Sequence, residues 1–210
     1  MSQFHSLTIK QVRNETRDAV SIAFDVPEHL QAQFRFTQGQ YLVMRTQLDN
    51  EEVRRSYSIC SAVQDGELRV AVKRVPGGLV SNFLHDTMHE GLELPVHGPV
   101  GLFNAIDFPS GKVLYLSGGV GITPVMSMAR WFYDTNANVD MVFVHSARSP
   151  KDIIYHRELE HMAARINNFS LHVICEKHGL GEAWAGYRGY LNQKMLELIA
   201  PDYLEREIFC

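Results

Sequence analysis

The sequence has 210 residues, of which 45% are hydrophobic and 21% charged, a composition that excludes an intrinsically disordered chain. Its 20 Lys and Arg residues against 24 Asp and Glu give a net charge of −4, so we predict neither nucleic acid nor a membrane surface as a partner. No apolar run approaches the roughly 18 residues of a membrane span, and the start is too polar for a secretory signal. The three cysteines, Cys60, Cys175 and Cys210, are far apart and odd in number, which indicates a reducing cytoplasm.

The sequence of residues 1–107 is typical of an antiparallel β-barrel domain, because short segments rich in Val, Ile, Tyr and Leu alternate with turn residues. In Leu68–Lys73 the residues alternate, which predicts one apolar and one mostly polar face. A single helix is predicted at Leu79–Thr87. The predicted strands are His5–Val12, Ala19–Asp25, Gly39–Leu48, Arg54–Ser61, Glu67–Val75 and Gly91–Val96.

The character of the sequence changes at Phe108–Gly111, the best candidate for a linker. Residues 111–210 alternate strands and helices, which predicts a Rossmann-like α/β domain with a parallel sheet. The sequence stops inside the last predicted strand, so we expect an incomplete domain and a chain that is a fragment. The predicted strands are Lys112–Ser117, Val139–Val144, Leu171–Cys175 and Arg206–Cys210, and the predicted helices are Thr123–Asp134, Ile153–Ile166 and Asn192–Ile199.

The strongest local signal is GGVGITP at 118–124, directly after a predicted strand and directly before a predicted helix. Glycines allow a tight turn and a close approach of the backbone to a ligand. Thr123 and Pro124 suit the first positions of a helix, whose free N–H groups and dipole attract a pyrophosphate. The spacing is neither that of a Walker loop nor the standard GxGxxG. Nucleotide binding is the favoured interpretation, and a simple strand-to-helix turn is the alternative.

Two further motifs lie in the first half. In RSYS at 55–58, alternation places Arg55 and Tyr57 on one face, with Ser58 opposite or at a twist. A cation, a ring and a hydroxyl suit a phosphate and a planar ligand, but for this motif taken alone a half-buried strand with an exposed arginine is the favoured interpretation. GGLVS at 77–81 opens the predicted helix and offers it an anion-ready N-terminus, or is simply a turn.

Other combinations of reactive residues carry less weight. His85 and His89 lie one helical turn apart, but the segment is short and its other side chains are needed for packing. His156 and His161 fall on different faces of their helix, and no serine stands in a GxSxG motif. We therefore predict no metal site and no hydrolase triad.

Together, in this order, the three motifs resemble those of the ferredoxin–NADP reductase superfamily: its RxYS flavin motif, its GxxS phosphate motif and its nucleotide motif. The resemblance covers essentially the whole chain. It is closest to bacterial reductases with a ferredoxin domain after the nucleotide domain. These comprise the hybrid-cluster-protein reductase, the glycine betaine and carnitine oxygenase reductases, and the phenylacetyl-CoA epoxidase reductase.

The resemblance implies roles for individual residues. Tyr57 would lie against the isoalloxazine, Ser58 would hydrogen-bond near its N5, and Thr123 would approach from the nucleotide side, which makes these three the catalytic candidates. Arg55 would pair with the flavin pyrophosphate. The other implied contacts are to the flavin from Val72, Lys73, Gly78, Leu79, Val80 and Ser81, and to the dinucleotide from Gly119, Gly121, Ile122, Pro124, Ser146 and Arg148.

The implied activity is transfer of a hydride from NADH or NADPH to FAD, followed by release of single electrons to an iron–sulfur centre that supplies an oxygenase or similar acceptor protein. The two-iron cluster would belong to a domain expected after Cys210, since its C-x₄-C-x₂-C run is absent here. The alternatives are a stand-alone ferredoxin reductase or diaphorase, and a non-catalytic flavin-binding redox sensor. Ser146 and Arg148 suit the 2′-phosphate of NADPH, whereas Asp152 favours NADH.

Overall fold

The computed structural model describes residues 3–177 and 184–210. Within them, the first half of the chain forms a six-stranded antiparallel sheet with the strand order β4-β3-β6-β1-β2-β5. One helix, α1, follows β5. The elements of this half are β1 (His5–Thr16), β2 (Ala19–Asp25), β3 (Tyr41–Leu48), β4 (Glu51–Ser58), β5 (Leu68–Lys73), α1 (Leu79–Thr87) and β6 (Glu93–Val100).

The sheet closes into a barrel because Ile59, just after β4, forms an antiparallel bridge with Val70 of β5. Strands β3 and β4 form a tight hairpin through Asp49 and Asn50, whose positive φ angles of 51° and 65° suit the right-handed twist of the strands. This hairpin places the start of β4 at Glu51 rather than at the predicted Arg54, because its first residues pair with β3 although they are charged and exposed. The interior of the barrel holds an apolar core of its own that includes Leu7, Ile22, Leu42, Ile59 and Val70.

The second half of the chain forms a five-stranded sheet, β10-β9-β8-β7-β11, in which every neighbouring pair is parallel. Helices α2 and α3 pack on one face and α4 on the other. The predicted barrel and the predicted parallel α/β sheet are thus confirmed. The elements are β7 (Lys112–Gly118), α2 (Ile122–Asp134), β8 (Asp140–Ala147), α3 (His156–Arg165), β9 (Phe169–Cys175), β10 (Tyr187–Arg188), α4 (Gln193–Ile199) and β11 (Glu207–Phe209).

Two local predictions in the second half need correction. The helix predicted at Ile153–Ile166 begins only at His156, because Tyr155 adopts a left-handed conformation with φ 60° and interrupts it. The two-residue strand β10 was not predicted, since a strand of that length has no detectable periodicity. The helices of the described residues include none that is long and apolar enough to cross a membrane.

The face of β5 that was predicted to be mostly polar carries Arg69, Ala71 and Lys73, and it is largely buried where the barrel packs on α2. Arg69 is only 4% exposed, and its guanidinium donates hydrogen bonds to Glu67, to Ser21 at 2.9 Å and to Gln11 at 2.6 Å. Ala71 on the same face joins the apolar cluster of α2. Both faces of β5 are therefore buried, one by the barrel interior and the other by polar partners and the second half of the chain.

Candidate functional site

The motifs from both halves of the chain meet in one cavity of about 510 Å³ between β4, the start of α1 and the start of α2. Predicted residues that line it are Arg55, Tyr57, Ser58, Lys73, Gly78, Leu79, Val80, Ser81, Gly121, Thr123 and Pro124. Four residues that were not predicted as site residues also line it, namely Ser56 and Val120 within the motifs and Ala71 and Val75 outside them. The structure thus brings together segments that lie far apart in the sequence.

The barrel contributes the RSYS segment at the end of β4. Arg55 is exposed and lines the cavity, and its Nη1 donates a 2.7 Å hydrogen bond to the carbonyl of Arg54. Tyr57 is half-buried, and burial raises the pKa of its hydroxyl to about 12 although the Arg55 charge opposes the rise. Its phenol is therefore neutral at physiological pH. Ser58 lines the same cavity as Arg55, consistent with a twist at the end of the strand.

Helix α1 presents its N-terminus to this cavity. Gly78 is the N-cap residue and makes no side-chain capping bond, so the first N–H groups of the helix stay open among the described residues. Side chains of the first turn of the helix stabilise the loop before it. Asn82 Nδ2 donates hydrogen bonds to the carbonyls of Gly78 at 2.6 Å and Val75 at 3.0 Å. Ser81 Oγ accepts a 3.1 Å hydrogen bond from the Val75 amide. Asn82 was missed by the motif search, although its place in the first turn of the predicted helix is typical of a residue that bonds locally.

Helix α2 presents a second N-terminus from the opposite side. The glycines form a single 3-10 turn, Gly119–Gly121, in which Gly119 has a φ of 52° and a Cβ there would lie 3.4 Å from Lys73 Nζ. Thr123 Oγ1 donates a 2.9 Å hydrogen bond to the Val120 carbonyl and so fixes this turn on the helix. A backbone with so little side chain allows a ligand to approach the helix dipole closely.

A smaller cavity of about 230 Å³ adjoins the first through their shared residue Lys73. It lies at the carboxyl ends of β8 and β9 and holds the predicted residues Gly119, Ser146 and Arg148. It also contains residues that were not predicted, namely Ala147, Glu176, Gly189 and Tyr190. Glu176 directly follows β9, and the rule that ligands bind at the carboxyl ends of parallel strands could have indicated it.

Arg148 lies in a network of charges that crosses between the two halves. Its Nη2 donates to the Asp18 carboxylate of the barrel and lies 3.6 Å from Asp152, which is almost fully buried. Arg17 Nε also donates to Asp152, at 3.0 Å. Burial opposes ionisation of Asp18, but the hydrogen bond from Thr16 and the nearby cations lower its pKa overall. Arg148 is therefore paired with Asp18, and both carboxylates are shared with other cations, Asp152 with Arg17 and Asp18 with Lys73.

Two predicted residues line neither cavity. Val72 points into the barrel core and its carbonyl accepts a 3.0 Å hydrogen bond from His85 Nε2, while Ile122, the first residue of α2, is fully buried. Any contribution from these two positions would have to come through backbone groups. The pairing also gives His85 a structural role, and the described residues contain no group of three or more His, Cys, Asp or Glu side chains that could hold a metal ion.

The chemistry of the large cavity fits a flavin dinucleotide. Open N–H groups at the start of α1 and the Arg55 guanidinium are two separate anion sites, which matches a cofactor with two phosphates. The neutral ring of Tyr57 offers a flat surface for an aromatic ring system. The glycine turn before α2 offers a third anion site for a second dinucleotide.

Comparisons with known proteins agree with this geometry. Residues 6–105 match the sequence model of a family described as an oxidoreductase FAD-binding domain, and residues 115–210 match an oxidoreductase NAD-binding domain. The chain is 67% identical over 207 residues to the glycine betaine monooxygenase reductase subunit of Pseudomonas aeruginosa, covering 98% of this chain and 56% of the relative. The chain thus spans about half the length of that relative.

Two ferredoxin–NADP reductases are also similar. Ferredoxin–NADP reductase B of Sorangium cellulosum is 35% identical over 167 residues, which cover 79% of this chain and 67% of the relative. A structure of a ferredoxin NADP⁺ reductase from Neisseria gonorrhoeae with bound FAD and NADP has the same fold, with a TM-score of 0.80 at 20% identity, covering 100% of this chain and 82% of that one. With its FAD-binding barrel and its NAD-binding parallel sheet, the chain belongs to the ferredoxin–NADP reductase superfamily of oxidoreductases.

Proposed function

We propose that the chain is the flavin- and nucleotide-binding part of a reductase that takes a hydride from NAD(P)H to FAD and delivers single electrons to an iron–sulfur centre of an oxygenase system. The observation that carries this proposal is the single cavity in which Tyr57 and Ser58 of the barrel face Thr123 at the start of α2. The similarity to the Pseudomonas aeruginosa reductase subunit supports the choice of an oxygenase as terminal acceptor.

FAD, when bound, supplies the chemistry that converts a two-electron hydride donor into a source of single electrons. The protein's own residues bind and orient. Arg55 and the N-terminus of α1 would hold the flavin phosphates, and Tyr57 would cover the ring. The Ser58 hydroxyl would hydrogen-bond near the atom that receives the hydride. Thr123 and the glycine turn would bring the nicotinamide end of the dinucleotide into contact with that atom.

The proposal is tested by the cofactor content and its reduction. We expect the purified chain to be yellow, to release FAD rather than FMN on acid treatment, and to lose its visible flavin absorbance when NADH is added without oxygen. Release of FMN alone would contradict the two phosphate sites. A flavin that stays oxidised with both NADH and NADPH would instead favour the redox-sensing alternative.

Arg55→Ala should weaken FAD binding more than it weakens the fold. A charge-assisted hydrogen bond to phosphate contributes roughly 1.5–3 kcal/mol, so the dissociation constant for FAD should rise about 10- to 100-fold. Arg55 is exposed, and its loss should change the free energy of unfolding of the apoprotein by less than about 0.5 kcal/mol. Fluorescence titration of the apoprotein with FAD measures the first quantity. Arg54→Ala, on the neighbouring position of the same strand, is the control, and equal effects of the two variants would reject the assignment.

We further propose NADH as the preferred donor, because Arg148 is already bonded to Asp18 and the Glu176 carboxylate in the same cavity repels a 2′-phosphate. Asp18→Asn should then raise kcat/KM for NADPH relative to NADH by about fivefold, the effect of roughly 1 kcal/mol from one partly exposed charge. Asp86→Asn is the control, because it removes a carboxylate on α1 that pairs with Arg74. It should leave the ratio of kcat/KM for NADPH to that for NADH unchanged. A wild-type preference for NADPH of about tenfold or more would contradict this proposal.

We also propose that the two binding domains comprise residues 1–107 and 111–210, ranges that include residues 1–2 and 178–183 outside the described parts. The irregular segment between Val100 and Lys112 supports a boundary there.

A cytoplasmic location is supported by three cysteines that are all free, two of them buried.

A further inference from the structure

One side of helix α2 connects the nucleotide end of the site to the barrel. Thr123 lines the large cavity, and Ser127 and Arg130 follow at intervals of about one and two helical turns, which places all three on the same side. Ser127 Oγ donates a 2.7 Å hydrogen bond to the carbonyl of Ser61, and Arg130 Nη1 donates to the carbonyl of Cys60. Both bonds cross from the second half of the chain to the first.

The two carbonyl groups belong to the segment that directly follows the flavin motif. Ser58 ends β4, and Ile59 is fully buried in the bridge that closes the barrel. Cys60 is equally buried, and its backbone N–H extends the pairing with β5 by donating a 2.8 Å hydrogen bond to the Arg69 carbonyl. The backbone from Ser58 to Cys60 is therefore rigid, so a bond to this segment also fixes the distance to the flavin motif.

The Arg130 guanidinium is oriented from several sides. Its Nε and Nη2 donate to the two carboxylate oxygens of Glu158 on α3, both at 2.7 Å, and its Cζ lies over the Tyr155 ring, 4.6 Å from the ring centre. The side chain is only 14% exposed. Ser127 is fully buried, and the apolar cluster around it includes Ala71 of the barrel. Fixing an arginine side chain in one conformation costs conformational entropy, a cost that a freely exposed arginine does not bear.

We propose that Ser127 and Arg130 are positioning residues that fix α2 to the backbone behind the flavin motif and thereby set the distance between the nucleotide and flavin ends of the site. This inference rests on the proposed hydride transfer for its kinetic consequence. A reacting group misplaced by about 1 Å costs on the order of 10²-fold in rate, so a small shift of α2 suffices to be seen.

The kinetic test uses the FAD-loaded chain and single-turnover reduction by NADH. At saturating NADH, Arg130→Met should lower the rate constant for flavin reduction by about 10²-fold and Ser127→Ala by about tenfold, with FAD content unchanged. The dissociation constant of NADH should change by less than about threefold, because neither residue lines the nucleotide site. Arg165→Met, which removes an exposed arginine at the end of α3, is the matched control and should reduce at the wild-type rate.

A second readout does not depend on activity. Cys60 is fully buried between the two halves, whereas Cys175 is buried inside the second half and Cys210 is exposed. Burial raises the pKa of both buried thiols, so neither reacts readily in the wild type. Alkylation by iodoacetamide, followed residue by residue with mass spectrometry, should be several times faster at Cys60 in Arg130→Met, with Cys175 unchanged. General unfolding would expose both.

The outcomes separate the two proposals. A wild-type flavin that NADH does not reduce would contradict the proposed function, while the Cys60 readout would still decide the role of α2. Wild-type reduction rates in both variants, or wild-type alkylation of Cys60 in both, would overturn the positioning role. If Arg130→Met exposes Cys60 and Cys175 alike, Ser127→Ala decides the question, because it removes one hydroxyl and leaves the Arg130–Glu158 pair in place.

Discussion

Gly39→Ala should destabilise the folded protein by about 3–5 kcal/mol, since left-handed strain and overpacking each contribute about 1–3 kcal/mol. Gly39 has a φ of 97°, which side chains rarely adopt. A Cβ atom there would overlap the carbonyl oxygen of Phe103 and lie 2.5 Å from Met128 Cε. The methionine can move, but the carbonyl belongs to the backbone. The residue lies where the loop before β3, the segment after β6 and helix α2 come together, so relief would require these parts to separate.

Gly66→Ala is the matched control for this prediction. Gly66 also has a positive φ, of 62°, but no atom lies within 4 Å of the added Cβ position. Its substitution should therefore cost only the conformational strain, about 1–2 kcal/mol. The free energy of unfolding is measured in urea at one fixed, saturating FAD concentration, because the bound cofactor itself stabilises the folded state. Similar losses in the two variants would show that the loop accommodates the methyl group and would refute the prediction.

Much of the architecture could be predicted because the two halves differ in hydrophobic period. The strands and helices that are confirmed, such as α1 at Leu79–Thr87 and β2 at Ala19–Asp25, bury most of their apolar side chains within their own half. The burial of the mostly polar face of β5 could not be predicted, for the opposite reason. Arg69 is charged, and its burial depends on partners from distant strands and on the packing of α2, which no short stretch of sequence contains.

The same distinction applies to the candidate site. The motif around Tyr57 and the turn before Thr123 are local, and both line the large cavity. Asp18 and Arg148 lie in different halves of the chain but form an ion pair. Nothing in the sequence around either residue indicates that it pairs with the other. Contacts of this kind tune charge and position, so they were missed, although most of the residues that line the cavity were indicated.

His145 is a buried histidine that the proposed chemistry does not use. It follows the apolar residues of β8 and is fully buried. Its Nδ1 lies 2.9 Å from the hydroxyl of Ser117, the residue that it pairs with on the neighbouring strand β7. Its Nε2 has no hydrogen-bond partner among the described residues. Burial, together with the positive charge of Lys73 and the nearby His156, lowers its pKa to about 4. The imidazole is therefore neutral in the folded state down to mildly acidic pH.

This depressed pKa should make the protein acid-sensitive between pH 6.5 and 4. As the pH falls through this window, the unfolded chain takes up a proton at His145 and the folded chain does not, so the unfolded state is favoured by about 3 kcal/mol at the lower end. His145→Asn keeps a polar atom near Ser117 but cannot titrate, and it should flatten this part of the pH profile of the free energy of unfolding. Ser117→Ala is the control: it removes the hydroxyl partner, lowers stability at every pH, and should keep the slope. Carboxylates such as Asp202, whose pKa is lowered to about 2 chiefly by its hydrogen bonds to Arg206 and Lys112, act mainly at and below the lower end of this window. A slope that survives in His145→Asn would assign the acid sensitivity to another group.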